Sequence, residues 1–270
     1  MSSGTAAQPG VVVDIGNLPI LLRSDDAQLR EMLQRRYRGF LASDRMPQFQ
    51  LQIELHEGQQ EPDADADVEV RRSGDGWALR RGDFAATWVN RSGCGRVLQS
   101  RNPYAIDSVL RILHSLLLAS RGGFLLHAAS AIRNGRAFLF AGVSGAGKTT
   151  ISRLAPPDVI LLTDEVSYIR REPGGYRACG TPFAGELATS GENVSAPIAA
   201  VYLLQKGEQN RIEPVEPSEA LRNVLRNILF FAEDQELVNS VFQSACDFVT
   251  ALPLYRLTFS LEDRVWELIT

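Results

Sequence analysis

The spacing of hydrophobic residues in the first 120 positions predicts a strand and two helices. Residues 49–55 alternate between apolar and polar side chains, which is typical of a half-buried strand. Apolar residues recur three and four positions apart over residues 29–41 and 106–117, and this spacing predicts amphipathic helices. We expect Ser24 to be the N-cap of the first helix, with two aspartates in its first turn. The second helix is predicted to begin at Asn102-Pro103.

Turn signals divide the other apolar segments of this region into short strands. Ser73-Gly74-Asp75-Gly76 lies between two of these segments and predicts a hairpin. The predicted strands cover residues 11–13, 18–22, 68–72, 77–81 and 84–89. Residues 1–120 are therefore predicted to form a small α+β unit, and their sequence contains no catalytic motif.

After Gly122-Gly123 the pattern changes to short, continuous apolar runs, which are typical of buried strands. Asn134-Gly135 is a strong signal for a two-residue hairpin turn, so the runs before and after it are predicted to pair antiparallel. Strands are predicted at residues 124–132, 137–141, 159–163, 176–178, 198–204 and 255–259, and helices at 218–230 and 234–249. Residues 121–270 are therefore predicted to form a larger α/β domain.

A glycine-rich motif follows the strand predicted at residues 137–141. Gly142-x-x-x-x-Gly147-Lys148-Thr149 is the phosphate-binding loop pattern in its usual place between a strand and a helix. The backbone N–H groups of such a loop point at phosphate oxygens, the lysine adds positive charge and the threonine hydroxyl binds Mg²⁺. We expect the Lys148 side chain to be exposed when no nucleotide is bound. The predicted nucleotide-binding residues are Gly142, Val143, Ser144, Gly145, Ala146, Gly147, Lys148, Thr149 and Thr150.

Composition supports this interpretation and narrows the class of protein. The chain has only two lysines, Lys148 and Lys206, and one of them stands in the loop. A net charge of -4 gives no general attraction to nucleic acid or to an anionic membrane, so neither is expected as a partner. The three cysteines are far apart, which indicates neither a disulfide framework nor a metal site.

No targeting or membrane segment is expected. The polar residues 1–10 resemble a disordered leader rather than a signal peptide, and no apolar run is long enough to cross a bilayer. A cytoplasmic location is therefore predicted. The sequence does not determine the oligomeric state, and a homo-oligomer is one of the alternatives it leaves open.

Two acidic residues and one histidine lie where they could assist phosphate chemistry. Asp164-Glu165 ends an apolar strand 22 residues after Gly142, and enzymes that use a magnesium nucleotide place carboxylates at such strand ends. His127 lies in the strand that the predicted hairpin sets beside the loop strand. The residues alone leave open whether His127 is a core residue or contacts the phosphates.

An acidic segment at residues 57–67 suggests a second, weaker metal hypothesis. Its Asp63-x-Asp65-x-Asp67 spacing is that of the start of a calcium-binding loop. However, Val68 replaces the glycine that such a loop needs, and Gly74 replaces its last glutamate. We therefore expect a solvated loop.

These motifs together resemble a known family. His127-Ala128-Ala129-Ser130, the loop and Leu162-Thr163-Asp164-Glu165 occur in an order that is similar to the catalytic domain of HPr kinase/phosphorylase. They more closely resemble the shorter relatives of that family in lasso-peptide and other peptide-maturation clusters. Gly180-Thr181-Pro182-Phe183-x-Gly185-Glu186 and Glu208-Gln209-Asn210-Arg211-Ile212 resemble segments of those relatives. The resemblance covers approximately residues 122–260.

The resemblance implies a P-loop serine kinase that uses ATP and Mg²⁺ on a serine hydroxyl of a protein or peptide. It implies catalytic roles for Asp164 as general base, for His127 beside the phosphates and for Lys148. It further implies that the acid pair shares metal and proton work and that a later glutamate, for which Glu186 is the candidate, takes part. Glu165 has the longer side chain of the pair, so we assign it to the metal together with Thr149 and Glu186. The family's acid pair is typically Asp-Asp, and its long glycine-rich signature is missing here, so HPr itself is not the expected acceptor.

Other nucleotide-binding classes are less consistent with the sequence. The Asn-Lys-x-Asp element of a GTPase and the Ser-Gly-Gly-Gln type of signature of a transport ATPase are both missing. A small-molecule kinase and a nucleotide-binding adaptor without turnover remain open, because the sequence does not identify the acceptor.

Overall fold

The computed structural model describes residues 10–56, 66–187, 190–260 and 263–270. The chain divides into two compact units, one of residues up to 112 together with 231–234, the other of residues 113–230 and 235–270. Most of the predicted leader and most of the acidic segment, with Asp63 and Asp65, lie outside the described residues. Of the helices in the described part of the chain, none has the length and apolar character that crossing a bilayer requires.

The first unit is built on a mixed sheet of seven strands in the order β1-β2-β3-β7-β6-β5-β4. The strands are β1 (Gly10–Ile15), β2 (Leu18–Arg23), β3 (Phe49–Leu55), β4 (Glu69–Ser73), β5 (Gly76–Arg81), β6 (Phe84–Val89) and β7 (Cys94–Gln99). The pairs β2–β3 and β3–β7 are parallel, and the other neighbours are antiparallel. All the strands predicted here are present. The sequence prediction missed β7, because its six residues include a glycine and only two aliphatic side chains.

The first helix begins later than predicted. Helix α1 covers Ala27–Arg36, and its N-cap is Asp26, whose side chain accepts a hydrogen bond from the Leu29 N–H at 2.7 Å. The prediction of Ser24 as the N-cap was therefore wrong. Its hydroxyl accepts from the Asp26 N–H at 3.3 Å instead, so it supports the cap from outside the helix. The predicted helix after Asn102 is α2 (Pro103–Ala119), which contributes residues to both units.

The second unit contains nine strands among the described residues, and three of them were not predicted. Its strands are β8 (Phe124–Arg133), β9 (Arg136–Ala141), β10 (Ile160–Thr163), β11 (Val166–Glu172), β12 (Gly175–Cys179), β13 (Ser195–Lys206), β14 (Arg211–Pro214), β15 (Ile228–Leu229) and β16 (Leu254–Phe259). Its helices are α3 (Lys148–Arg153), α4 (Pro217–Asn227) and α5 (Gln235–Ala251). The prediction missed β11, β14 and β15.

Strand pairing brings the ends of several strands to one place. Strand β9 pairs antiparallel with β8, as the Asn134-Gly135 turn predicts, and parallel with β13. Strand β13 also pairs parallel with β16. Strands β10 and β11 both pair antiparallel with β8. The C-terminal ends of β9, β13 and β16 therefore lie at the same edge of the sheet.

Apolar layers cover both faces of this sheet. One layer includes Phe124, Leu139 and Val201 and continues into Val224 of α4 and Phe248 of α5. The opposite layer joins alternate residues of the same strands to Ile151 of α3 and to Trp266 near the C-terminus. The arrangement is a mixed α/β fold in which the loop between β9 and α3 rests on a packed sheet.

Candidate functional site

A cavity of about 610 Å³ opens at the sheet edge where β9 ends. The sequence prediction named six residues with catalytic or metal-binding roles, and the structure brings all six into the lining of this cavity. They are His127, Lys148, Thr149, Asp164, Glu165 and Glu186. The residues come from separate segments of the chain, so only the fold of the second unit assembles them.

The glycine-rich loop forms one wall. Ser144, Gly145, Gly147 and Thr150 line the cavity in addition to Lys148 and Thr149. Gly147 has φ 111°, and a β-carbon there would lie 2.6 Å from Cζ of Phe259, so both its conformation and its surroundings require glycine.

The remaining three residues predicted to bind nucleotide do not line the cavity. Gly142 and Val143 turn their carbonyl oxygens to the Lys148 ammonium, and the Val143 side chain is 70% exposed. Ala146 packs into the apolar layer under the loop.

Lys148 lies inside the loop, contrary to the expectation of an exposed side chain. It is 8% exposed, and its ammonium donates hydrogen bonds to the carbonyl oxygens of Gly142 at 2.9 Å and Val143 at 3.3 Å. Burial lowers the pKa of the ammonium, and the nearby Glu165 and Glu186 carboxylates oppose that shift. The prediction failed because it treated the loop as an open cradle, whereas in this structure the loop carbonyls enclose the lysine.

The acid pair occupies a bend between two strands. Strand β10 ends at Thr163 and β11 begins at Val166, and the Thr163 hydroxyl accepts hydrogen bonds from the N–H groups of Glu165 and Val166 at 3.2 and 3.1 Å. Successive residues of a regular strand point to opposite faces, but this bend lets Asp164 and Glu165 both line the cavity. The bend thus supplies the interruption that two adjacent acids in one site require.

Asp164 is buried and oriented by backbone amides. Its Oδ1 accepts a hydrogen bond from the Gly185 N–H at 3.0 Å, and its Oδ2 accepts one from the Leu187 N–H at 2.9 Å. Each carboxylate oxygen has two lone pairs, so one acceptor position on each oxygen remains after these two bonds. Asp164 therefore fixes the Gly185 segment and keeps the capacity to accept a further proton or hydrogen bond.

Glu186 contacts the glycine-rich loop through Thr149. Its Oε2 accepts a hydrogen bond from the Thr149 hydroxyl at 2.9 Å. The segment that carries it is anchored by buried Thr181, whose N–H donates to the Leu162 carbonyl and whose hydroxyl donates to the Val166 carbonyl. A β-carbon on Gly185 would lie 2.8 Å from Asp164 Oδ2, so the segment approaches the acid pair as closely as glycine allows.

His127 is half-buried in β8 and lies opposite Val166 of β11. It lines the cavity, so the structure places it with the loop and the acids rather than in the apolar layers. The antiparallel pairing of β8 with β9 places His127 near the loop, as the sequence predicted.

The site offers oxygen donors of the type that bind Mg²⁺. Among the described residues, no group of three or more His, Cys, Asp or Glu side chains is arranged to hold a metal ion. Mg²⁺ is typically bound by one or two carboxylates, water and substrate phosphates. Thr149, Glu165 and Glu186 offer hydroxyl and carboxylate oxygens beside the loop, so this donor set fits a magnesium ion that arrives with a nucleotide.

The sequence prediction did not include Lys206 among the site residues, although this lysine also lines the cavity. It is the last residue of β13, the strand that runs parallel to β9. Parallel pairing could not be read from the sequence, because the two strands are separated by more than fifty residues. The rarity of lysine in the chain was the available signal.

Comparisons with known proteins identify a family. The family model described as "SynChlorMet cassette protein ScmC" matches residues 103–270, more than half of the chain. No curated protein matches it. Among solved structures, the chain is similar to one described as "Structure of the Hpr(Ser) kinase/phosphatase from Coxiella burnetii", with 9% identity and a TM-score of 0.31 over 53% of this chain and 90% of that one. A likeness of this size supports no inference about activity.

Proposed function

This chain belongs to the SynChlorMet cassette protein ScmC family, and we propose that it is an ATP-dependent kinase that phosphorylates a serine hydroxyl of a protein or peptide. One observation carries the proposal. A single cavity joins the phosphate-loop residues Lys148 and Thr149 to three carboxylates and a histidine. Phosphoryl transfer needs these parts: a phosphate cradle, oxygen ligands for Mg²⁺ and a proton acceptor.

The loop and its lysine bind the nucleotide phosphates in this proposal. Lys148 exchanges its contacts with the Gly142 and Val143 carbonyls for phosphate oxygens, which are stronger acceptors because they are charged. Burial makes this ammonium poorly hydrated beforehand, so it loses little water when it binds phosphate.

Thr149, Glu165 and Glu186 are the proposed magnesium ligands. The ion would supply positive charge that offsets the charge of the phosphates and of the surrounding acids. Glu165, which is only partly buried, would hold the ion through water, and the Thr149 hydroxyl and the Glu186 carboxylate, which are hydrogen-bonded to each other here, would be its other protein ligands.

Asp164 is the proposed general base. The acceptor hydroxyl gives its proton to the carboxylate while its oxygen forms a bond to the γ-phosphorus of ATP. The bond from that phosphorus to the bridging oxygen breaks, and ADP leaves with the bonding electron pair. The two backbone N–H groups that hold Asp164 keep the acid in a fixed orientation for this step. His127 donates a hydrogen bond to the phosphate oxygens.

The acceptor is proposed to be a peptide of the same cassette. The family description names a cassette protein, which favours a substrate produced alongside it. The test is an incubation of the protein with Mg²⁺, γ-labelled ATP and peptides of the cassette, each paired with a copy in which serine is replaced by alanine. We expect label on serine peptides only, and none with the Lys148→Met variant.

Each other result of this assay identifies a different function. Binding of ATP without label transfer or ADP formation would identify a nucleotide-binding adaptor and contradict the proposal. Label transfer to small hydroxyl compounds but to no peptide would identify a small-molecule kinase.

A further inference from the structure

Lys206 is the second of the two lysines in the chain, and both lie in one cavity. Lys206 is exposed at the end of β13, whereas Lys148 is enclosed by its loop. Among the described residues Lys206 has no ion-pair partner. The Lys206 ammonium can therefore bind a ligand without breaking an ion pair within the described part of the chain, whereas the Lys148 ammonium must first give up its bonds to the loop carbonyls.

The strand register places Lys206 level with the phosphate loop. Strands β9 and β13 are parallel, and Ala141 lies opposite Leu203 in their last pair. Because parallel strands run in the same direction, the residues that follow these two leave the sheet at the same edge. Ser144 and Lys206 each lie three positions beyond the last pair, and both line the cavity.

The other neighbour of β13 also contacts the loop. Lys206 lies opposite Phe259 in the parallel pairing of β13 with β16. The Phe259 ring lies against Gly147, where a β-carbon would be 2.6 Å from its Cζ atom. Lys206 is thus beside the strand residue that supports the end of the loop.

The backbone next to Lys206 is held in place. The Gly207 N–H donates a hydrogen bond to the Phe259 carbonyl at 3.1 Å, and a β-carbon on Gly207 would lie 2.3 Å from Cγ2 of Thr258. The backbone at Lys206 is therefore fixed against β16, while its side chain is exposed. A fixed backbone and a long, exposed side chain suit a residue that contacts a bound ligand.

The charges of the cavity indicate what Lys206 does. Three carboxylates, those of Asp164, Glu165 and Glu186, line the cavity together with only two lysines. A polyphosphate that enters meets repulsion from these acids, and each cation in the cavity offsets part of it. Loss of Lys206 would leave one lysine beside three carboxylates and the phosphates.

We propose that Lys206 binds the outermost phosphate of a nucleoside triphosphate at this site and gives the site its preference for the triphosphate over the diphosphate. This inference rests on the proposed function, since it assumes that the loop binds a nucleotide. Lys148 binds within the loop, and Lys206 approaches from the neighbouring strand. The outermost phosphate therefore lies between two cations.

The test compares Mg-ATP with Mg-ADP by calorimetric titration of the full chain. Lys206→Met should weaken ATP binding about tenfold and ADP binding by less than about twofold, because ADP lacks the outermost phosphate. Lys206→Arg keeps the charge and should bind ATP nearly as tightly as the natural chain. Arg264→Met is the matched control, since Arg264 is a highly exposed cation of the same unit outside the cavity lining, and it should change neither affinity.

The outcomes separate this inference from the proposed function. Equal loss of ATP and ADP affinity in Lys206→Met, or no loss of either, would overturn the role of Lys206 and leave the kinase proposal standing. If the natural chain binds neither nucleotide, the proposed function fails and the inference fails with it. A loss confined to ATP that Lys206→Arg restores supports the inference.

Discussion

The position of Lys148 in the phosphate-loop motif could be predicted from the sequence, but its burial could not. The pattern Gly142-x-x-x-x-Gly147-Lys148-Thr149 predicts where the lysine stands in the chain. Its enclosure by the Gly142 and Val143 carbonyls depends on loop dihedrals that the motif does not specify. This short motif therefore predicts the chemistry of the lysine better than its burial.

Replacement of Lys148 should remove activity without unfolding the protein. Lys148→Met keeps most of the side-chain volume and loses two hydrogen bonds to carbonyls of a partly exposed loop, where water can replace the donor. We expect ATP turnover to become undetectable, while the free energy of unfolding falls by no more than about 1–2 kcal/mol. Steady-state ADP formation and urea unfolding measure the two effects. Normal turnover by this variant would contradict the assignment of the loop as the catalytic phosphate site.

The two acids of the bend should have separable roles. Glu165→Gln should mainly raise the Mg²⁺ concentration needed for half-maximal activity, because Glu165 is a proposed metal ligand. Asp164→Asn should lower kcat by about 10²- to 10⁴-fold, the usual contribution of a general base. Titrations of activity against Mg²⁺ for both variants measure the split, and reversed effects would exchange the roles.

One structural effect must be separated from the loss of the base. An asparagine at position 164 can accept only one of the two amide hydrogen bonds from Gly185 and Leu187, since its NH₂ group is a donor. The segment of Glu186 will therefore loosen as well. Asp164→Glu keeps a carboxylate with both acceptor oxygens, whereas Asp164→Asn keeps neither the base nor both hydrogen bonds. Unaltered activity in Asp164→Asn would therefore show that Asp164 is not the general base.

At the scale of elements, the positions of most strands and helices could be predicted from the sequence, but most of the strand pairings could not. The hairpin of β8 and β9 was predictable because Asn134-Gly135 specifies a two-residue turn. Strand β11 was missed because polar and charged residues interrupt its apolar pattern and the bend before it resembled a strand end. The pairing of β13 with β9 is long-range and leaves no local pattern, which is why Lys206 was not predicted as a site residue.

The segment around Gly185 is the element on which the metal-side geometry depends. A β-carbon at residue 185 would lie 2.8 Å from Asp164 Oδ2 and 2.9 Å from the Glu165 β-carbon. Gly185→Ala should therefore push Glu186 away from Thr149 and raise the Mg²⁺ requirement for nucleotide binding about tenfold or more. Calorimetric titration of ATP at several Mg²⁺ concentrations measures this effect.

Gly39→Ala is the control for this substitution. No atom lies within 4 Å of a β-carbon placed on Gly39, and its backbone does not have a positive φ. It should bind Mg-ATP like the natural chain. If Gly185→Ala also does so, the Gly185 segment does not position the metal ligands.

At the scale of the whole molecule, acid stability should depend on buried His114. Its side chain is fully buried, its Nδ1 lies 3.3 Å from the Tyr168 hydroxyl, and burial together with the Arg121 charge lowers its pKa from 6.5 to about 3. Between pH 6.5 and about 3, His114 is protonated in the unfolded chain but not in the folded chain. The free energy of unfolding should therefore fall by a few kcal/mol as the pH falls from 6.5 to about 3.

Urea unfolding across this pH range tests the assignment. His114→Phe should unfold with a shallower pH dependence than the natural chain, whatever its absolute stability, because the titrating group is gone. His56→Phe removes an exposed histidine and should keep the natural dependence. Identical slopes for the natural chain and His114→Phe would mean that other groups cause the acid sensitivity.

The central claim is that this cavity transfers the γ-phosphate of ATP to a serine oxygen, and ³¹P NMR of the natural chain with Mg-ATP and the cassette peptide tests it most directly. The spectrum distinguishes ATP, ADP, inorganic phosphate and a phosphate monoester in one sample. The account predicts that the γ-phosphate signal of ATP declines while ADP and a serine phosphate monoester increase in equal amounts. An ATP spectrum that stays unchanged under conditions where calorimetry shows bound nucleotide would contradict the claim.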